Sequence, residues 1–230
     1  IRQSLVGSEM CIRDSTGISL HLEMSKRCIL ECPKCPRTIY KGRYTINDLN
    51  IDHAKELVLK TRPSNIVMSG NLGDPIYHPN LIEFVRWLDN INYPFAVHTN
   101  GSGKKLSWWE EFYDSYKEYS KKPNGNKYNK IWFGVDGLKD TAHKYRVGIN
   151  WQQSFDAMCL GVKKGRQVNW QWIPFSFNEH QIEEASKLAK DNGINLVLRL
   201  SGRWDSKDDP LRPSAKWLPE EAHDGNTKEI

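Results

Sequence analysis

Ser19-Leu-His-Leu-Glu-Met24, followed closely by Cys28-Ile-Leu-Glu-Cys32-Pro-Lys-Cys35, is the stretch on which the reading of this 230-residue chain turns. The first part is a β-rich run, and the second places three thiols in one short loop directly after it. Three thiolates in one loop can wrap one face of a metal site, whereas a tetrahedral zinc or a full iron–sulfur cube takes four ligands. One coordination position is then left open, and an open position is where substrate or cofactor binds at a catalytic metal. The competing reading is a structural zinc knuckle completed by a distant His or by Cys159. Against it, Cys159 falls on the apolar face of a helical pattern and reads as a core residue.

Outward from that loop, β-rich runs alternate with helical patterns. The runs are Ser19 to Met24, Asn65 to Met68, Phe95 to Thr99, Lys130 to Val135, Val168 to Pro174 and Asn195 to Leu200. Between them apolar residues recur three and four apart: Ile51, Ala54, Leu57, Val58; Leu81, Phe84, Val85, Leu88; Trp109, Phe112, Tyr113, Tyr116; Phe155, Met158, Cys159, Val162; and Ile182, Ala185, Leu188, Ala189. Such alternation predicts an α/β fold built from βα units on a parallel sheet, with fewer units than a closed eight-fold barrel. Ser107 with Glu110 and Asn178 with Gln181 have capping-box spacing, and Gly193 stands where a helix C-terminal glycine belongs. Lys121 to Lys127 reads as a polar turn, and beyond Leu200 the pattern stops.

Composition narrows the class. Residues are 38% hydrophobic and 27% charged, mean hydropathy is −0.67, and no run approaches the roughly 18 apolar residues of a membrane helix. Membrane-spanning, collagen-like and disordered classes are excluded, and a net charge of +5 is too small and scattered to indicate nucleic acid. Sparse cysteine usage, concentrated in one loop, points to metal or redox chemistry in a reducing compartment, the cytoplasm. Leu5 to Ser15, LVGSEMCIRDS, matches the in-frame translation of a transposase sequencing adapter. Residues 1–16 are therefore expected to be non-native, which removes Cys11 from the count and leaves the net charge unchanged. The expected division is 1–16 as that segment, 17–200 as the barrel, and 201–230 as a charged tail opening toward a truncated C-terminal domain.

The cysteine loop and four later segments together resemble the radical S-adenosylmethionine (radical SAM) enzymes. Cys28, Cys32 and Cys35 fit the CxxxCxxC pattern. Gly73-Asp74-Pro75-Ile76-Tyr77-His78-Pro79 resembles a GEP-x-x-HP stretch, and Thr99-Asn100-Gly101, Val135-Asp136-Gly137 and Tyr145-Arg146 follow in the family's order. The resemblance implies a partial (βα)6 TIM-like barrel in which the three cysteines hold a [4Fe-4S] cluster. The cluster's remaining iron would bind SAM and cleave it reductively to methionine and a 5′-deoxyadenosyl radical, which abstracts hydrogen from substrate. By the same resemblance Gly73, Asp74, Pro75, Thr99, Asn100, Gly101, Asp136 and Arg146 contact or shape the SAM site. Asp74 would accept from the SAM ammonium and Arg146 would pair with its carboxylate, the plain alternatives being a turn-former before Pro75 and a solvated surface arginine. A reductant protein such as flavodoxin or ferredoxin is implied, and the substrate, peptide or small molecule, is left open. So is a C-terminal auxiliary-cluster (SPASM/twitch-like) region, although no Cys follows Cys159. The alternative from another class is an iron–sulfur or zinc electron-transfer or sensor module that does not cleave SAM.

The pattern also departs from the family. Lys34 stands where an aromatic usually precedes the third Cys, Asp74 replaces a Glu, Gly70-Asn71-Leu72-Gly73 replaces a tighter glycine pair, and Gly134 occupies a common Ser position. Arg37 stands to screen cluster charge. Trp170 and Trp172 share one face of the fifth strand and Gln171 the other, so either an aromatic or an amide face lines the pocket. Arg199 and Arg203 are equally suited to a carboxylate or phosphate and to the surface. His98, His143 and His180 lack metal-ligand spacing and read as structural or solvated.

Overall fold

The computed structural model describes residues 17–117, 129–201, 204–218 and 227–229. The expectations for residues 1–16, for the Lys121 to Lys127 turn and for Arg203 lie outside these residues. Strands β1 (Ser19–Leu22), β2 (Asn65–Met68), β3 (Phe95–Thr99), β4 (Lys130–Gly134), β5 (Gln167–Trp172) and β6 (Asn195–Arg199) form one sheet in sequential order, each parallel to the next. A seventh strand, β7 (Thr227–Glu229), pairs antiparallel with β6. The helices are α1 (Pro36–Ile39), α2 (Ile51–Thr61), α3 (Leu81–Asn90), α4 (Leu106–Asp114), α5 (Trp151–Lys163) and α6 (Ile182–Asp191). This is the α/β partial barrel expected, with every predicted strand present to within about two residues at its ends.

Strands of a parallel sheet covered on both faces read as continuous apolar runs. Here they alternate. Leu20, Leu22, Ile66, Met68, Val97, Ile131, Phe133, Val168, Trp170, Trp172, Leu196 and Leu198 pack with the helices into one core. The opposite parity carries His21, His98, Trp132, Gln171 and Arg199, a lumen face too polar to close on itself. The core is aromatic at α4, where Trp109, Phe112 and Tyr113 are fully buried and Trp109 meets the Phe133 ring at 5.2 Å. Such ring pairs contribute about 0.5–1.5 kcal/mol beyond area burial.

Asn50 and Asn150 cap α2 and α5 through their side-chain oxygens. Gly193, at φ +67, follows α6 as expected. Neither proposed capping box forms. Helix α4 begins one residue before Ser107, at Leu106, with Lys105 as its N-cap, and Ser107 is exposed. Asn178 instead accepts from Phe175 N at 2.7 Å, and Gln181 turns to accept from Leu138 N and Thr141. Gln181 was drawn off by partners some 40 residues away, Asn178 by the turn just before it, and Ser107 lies inside its helix rather than at the cap.

Candidate active site

Every named site segment follows a strand end, so all converge on one mouth of the barrel. The cysteine loop comes first. Cys28, Cys32 and Cys35 are free thiols lining one cavity of about 460 Å³ with Gly73, Asp74, Thr99, Asn100, Gly134, Arg146 and Gln171. Cys35 is the N-cap of α1, whose first residue Pro36 has no N–H to leave unpaired. Leu30, Cys32, Tyr145, Ile173 and Phe175 form a second small apolar cluster, against which Cys28 and Cys35 pack. Cys28 Sγ accepts from Leu30 N at 3.4 Å and Asn100 Nδ2 at 3.6 Å. Burial, and then the nearby Asp74 charge, push its thiol up to about 11. A bare thiolate is thus disfavoured there, and a bound cation would remove the penalty.

Asp74 organises the next two segments. Gly73 lies so close to the cysteine loop that a Cβ would collide with the backbone of Ser25 and Lys26, so only glycine fits. Asp74 N donates to Arg27 O at 2.8 Å, fastening this turn beside Cys28. Its carboxylate is buried. Oδ1 accepts from Ile76 N at 3.1 Å and caps the 3₁₀ turn Pro75–Tyr77; Oδ2 accepts from Thr99 Oγ1 at 3.0 Å, Asn100 N at 2.8 Å and Asn100 Nδ2 at 2.5 Å. Burial raises Asp74 to about 6 despite these donors and Arg146. Gly101 follows at φ +78, its α-carbon facing the Phe133 ring with no space for a side chain. His78 of the same stretch faces away from the cavity. Its Nδ1 accepts from Asn80 N at 3.0 Å, so Nε2 carries the proton and donates to Leu49 O at 2.8 Å.

Asp136 and Arg146 form the third part. Asp136 is fully buried, accepting from Arg146 Nε at 2.7 Å and from Ile173 N at 2.7 Å. Arg146 is not a solvated surface residue: its side chain is 19% exposed and lines the cavity. Burial lowers its pKa, but Asp136, helped by Cys32, outweighs that and holds the guanidinium above its usual value. Gly134 is explained by this pair, since a Cβ there would stand 2.8 Å from Arg146 Nη2. A serine at Gly134 would push the guanidinium aside.

Further residues enter the cavity that the sequence left aside or undecided. Gln171 lines it, whereas Trp170 and Trp172 are fully buried toward the helices, Trp170 against Phe155. His98 lines it too, correcting its reading as merely structural or solvated; His143 and His180 are exposed. Its ring stacks on Trp132 with centroids 5.5 Å apart and planes within 3°. The signal was strand parity, because His98 stands two residues from Asn100 on the same face. Lys34 also borders the cavity, paired with Asp205 and, at 3.2 Å, Asp209. Arg37 donates to Leu30 O, bracing the loop.

Among the described residues no three His, Cys, Asp or Glu side chains converge so as to hold a single metal ion. A zinc knuckle needs such convergence. In an iron–sulfur cube each thiolate binds its own iron, so the thiols stand apart around a shared volume, which suits three cysteines lining one cavity.

No sequence-family profile matches the chain, and no curated protein matches it by sequence. Solved structures match it in fold. SuiB of Streptococcus suis bound to S-adenosylmethionine aligns with TM-score 0.66 at 13% identity, over 86% of this chain and 43% of that one. SuiB bound to precursor peptide SuiA aligns with TM-score 0.63 at 15% identity, over 79% and 38%. Methylornithine synthase (PylB) aligns with TM-score 0.59 at 16% identity, over 94% and 66%, and anSMEcpe with bound AdoMet with 0.58 at 15%, over 85% and 53%. The chain thus spans less than half the length of SuiB and has the barrel fold of structures that bind S-adenosylmethionine. Among the described residues no helix is long and apolar enough to cross a membrane.

Proposed function

We propose that this chain is the catalytic barrel of a radical SAM enzyme. The observation that carries the reading is the shared cavity: three free thiols of one loop open onto the same volume as the Asp74–Thr99–Asn100 network and Arg146. Cys28, Cys32 and Cys35 would hold a [4Fe-4S] cluster. When bound, that group supplies the electron that cleaves SAM to methionine and a 5′-deoxyadenosyl radical. The chain's own residues do the rest. Thr99, Asn100 and Gly101, set by Asp74 and Pro75, shape the wall beside Cys28, while Gly73 lets that wall approach. Arg146 stays charged against Asp136, with its terminal nitrogens at the cavity for the SAM carboxylate. Asp74 already accepts four protein donors, so on this reading it meets the ammonium with one face of a carboxylate it mainly uses to hold Thr99 and Asn100. Tyr145, Phe175 and Leu30 give the thiols an apolar backing. SuiB bound to a precursor peptide supports a peptide as one substrate class, and a flavodoxin- or ferredoxin-like reductant would deliver the electron.

The test is anaerobic reconstitution of the chain with iron and sulfide, reduction with dithionite, addition of SAM, and assay for 5′-deoxyadenosine beside Cys32→Ala. Nucleoside from wild type alone is the expected result. A reconstituted cluster with no nucleoside and no SAM-dependent spectral change would instead support an electron-transfer or sensor module.

A further inference from the structure

The lumen holds a cation that the site described above does not use. Arg199 is the last residue of β6 and has the lumen parity, since Leu196 and Leu198 on either side of Val197 pack against the helices. Its Nε is buried with no hydrogen-bond partner, and no acidic side chain among the described residues pairs with it. A guanidinium inside a barrel without a counter-charge costs free energy, so the position makes sense where an anion arrives. The groups around it match a planar one. His98, close enough to Arg199 and His21 for their charges to disfavour its own, is held neutral, its pKa pushed down to about 4 mainly by burial. Its ring lies parallel to Trp132, giving a flat aromatic wall, and Gln171, on the adjoining strand β5 and paired with Val197 two residues before Arg199, shares the lumen parity and adds an amide that can donate or accept. Of the cations lining this mouth, Lys34 pairs with Asp205 and Asp209, Arg37 donates to Leu30 O, and Arg146 is held through Nε by Asp136 and is assigned above to the SAM carboxylate.

We propose that Arg199, with Gln171 and the His98–Trp132 wall, forms a seat for a carboxylate of the substrate, and that the substrate is therefore a carboxylate-bearing molecule. One uncommitted positive charge beside a neutral imidazole balances a monoanion. A phosphate dianion would leave a charge uncompensated in the lumen. This assignment names the substrate class of the radical-generating site proposed above and rests on that reading for its chemical meaning.

The experiment uses the reconstituted full chain and needs no turnover. Benzoate, its neutral isostere benzamide, and phenylphosphonate are titrated by calorimetry into wild type, Arg199→Gln and Arg199→Lys, with thermal melting to verify that each variant is folded. Wild type is expected to prefer benzoate to benzamide by about tenfold, the scale of one charge-assisted hydrogen-bonded pair. Arg199→Gln should abolish the preference and Arg199→Lys should retain part of it. Equal binding of benzoate and benzamide to wild type, a preference unchanged in Arg199→Gln, or tighter binding of phenylphosphonate than benzoate would each overturn the assignment. The two readings separate cleanly. Nucleoside formation without a benzoate preference removes the carboxylate seat alone, and the preference without nucleoside formation removes the radical reading alone.

Discussion

Asp74 is buried and His98 partly buried, on either side of Thr99, and desolvation moves them in opposite senses. Asp74 rises from 3.8 to about 6, so the folded chain binds its proton more tightly than the unfolded chain does. Its contribution to stability is complete below pH 3.8 and is lost as pH rises through 6. His98 falls from 6.5 to about 4, so its contribution is complete above pH 6.5 and is lost as pH falls through 4. Each shift corresponds to about 3 kcal/mol, and over the shared window the two slopes nearly cancel. Urea midpoints of the metal-free chain between pH 4 and 7 should show this. Relative to wild type, Asp74→Asn should gain stability as pH rises, and His98→Asn should lose it. Two variants whose profiles run parallel to wild type would disprove the opposition.

At the scale of elements, the loops after β4 and β5 are clamped by one carboxylate. Asp136, just past β4, holds Ile173 N, just past β5, and the Arg146 guanidinium. Asp136→Asn keeps the shape but strands a largely buried cation. The expected loss is about 3 kcal/mol, the low end for a broken buried pair because Arg146 reaches the cavity. Adding Arg146→Met to that variant should recover part of the loss, since an apolar pair leaves no charge unpaired. Chemical denaturation of the two single variants and the double variant measures the coupling, and strict additivity would mean that the bond stabilises nothing.

At the scale of the whole molecule, the segment after the barrel is tied back to the cysteine loop. Lys34 pairs with Asp205 and Asp209, Asp209 accepts from Asp205 N and Leu211 N, and Leu211 packs against the same apolar cluster as Cys28 and Cys35. Ser176 adds bonds to Pro210 O and Leu211 O. Asp209 therefore fixes the segment's own turn as well as its tether, whereas Lys34 supplies the tether alone. Hydrogen exchange should show faster exchange over residues 205–211 in Asp209→Ala than in Lys34→Ala, with β3 and β4 unchanged in both. The reverse order would place the anchor in the ion pair rather than in the turn.

The sequence by itself determined the element series, because periods of two and of three to four residues report which face an element buries, and this is a local property. Cysteine spacing marked the three thiols, and the family resemblance marked the glycines at 73 and 101 and the segments after the strands. Only the tertiary structure decided what those residues touch. Neither capping box formed, Gln181 going instead to Leu138 and Thr141, Arg146 became the partner of Asp136, and Asp74 proved to be the hub that four donors share. His98 and Gln171 entered the lumen while Trp170 and Trp172 took the core. Several of these outcomes depend on groups brought together from distant parts of the chain, as in the Asp74–Asn100 bond across 26 residues. Competition for a buried donor or acceptor is settled by three-dimensional proximity, which spacing along the chain does not encode.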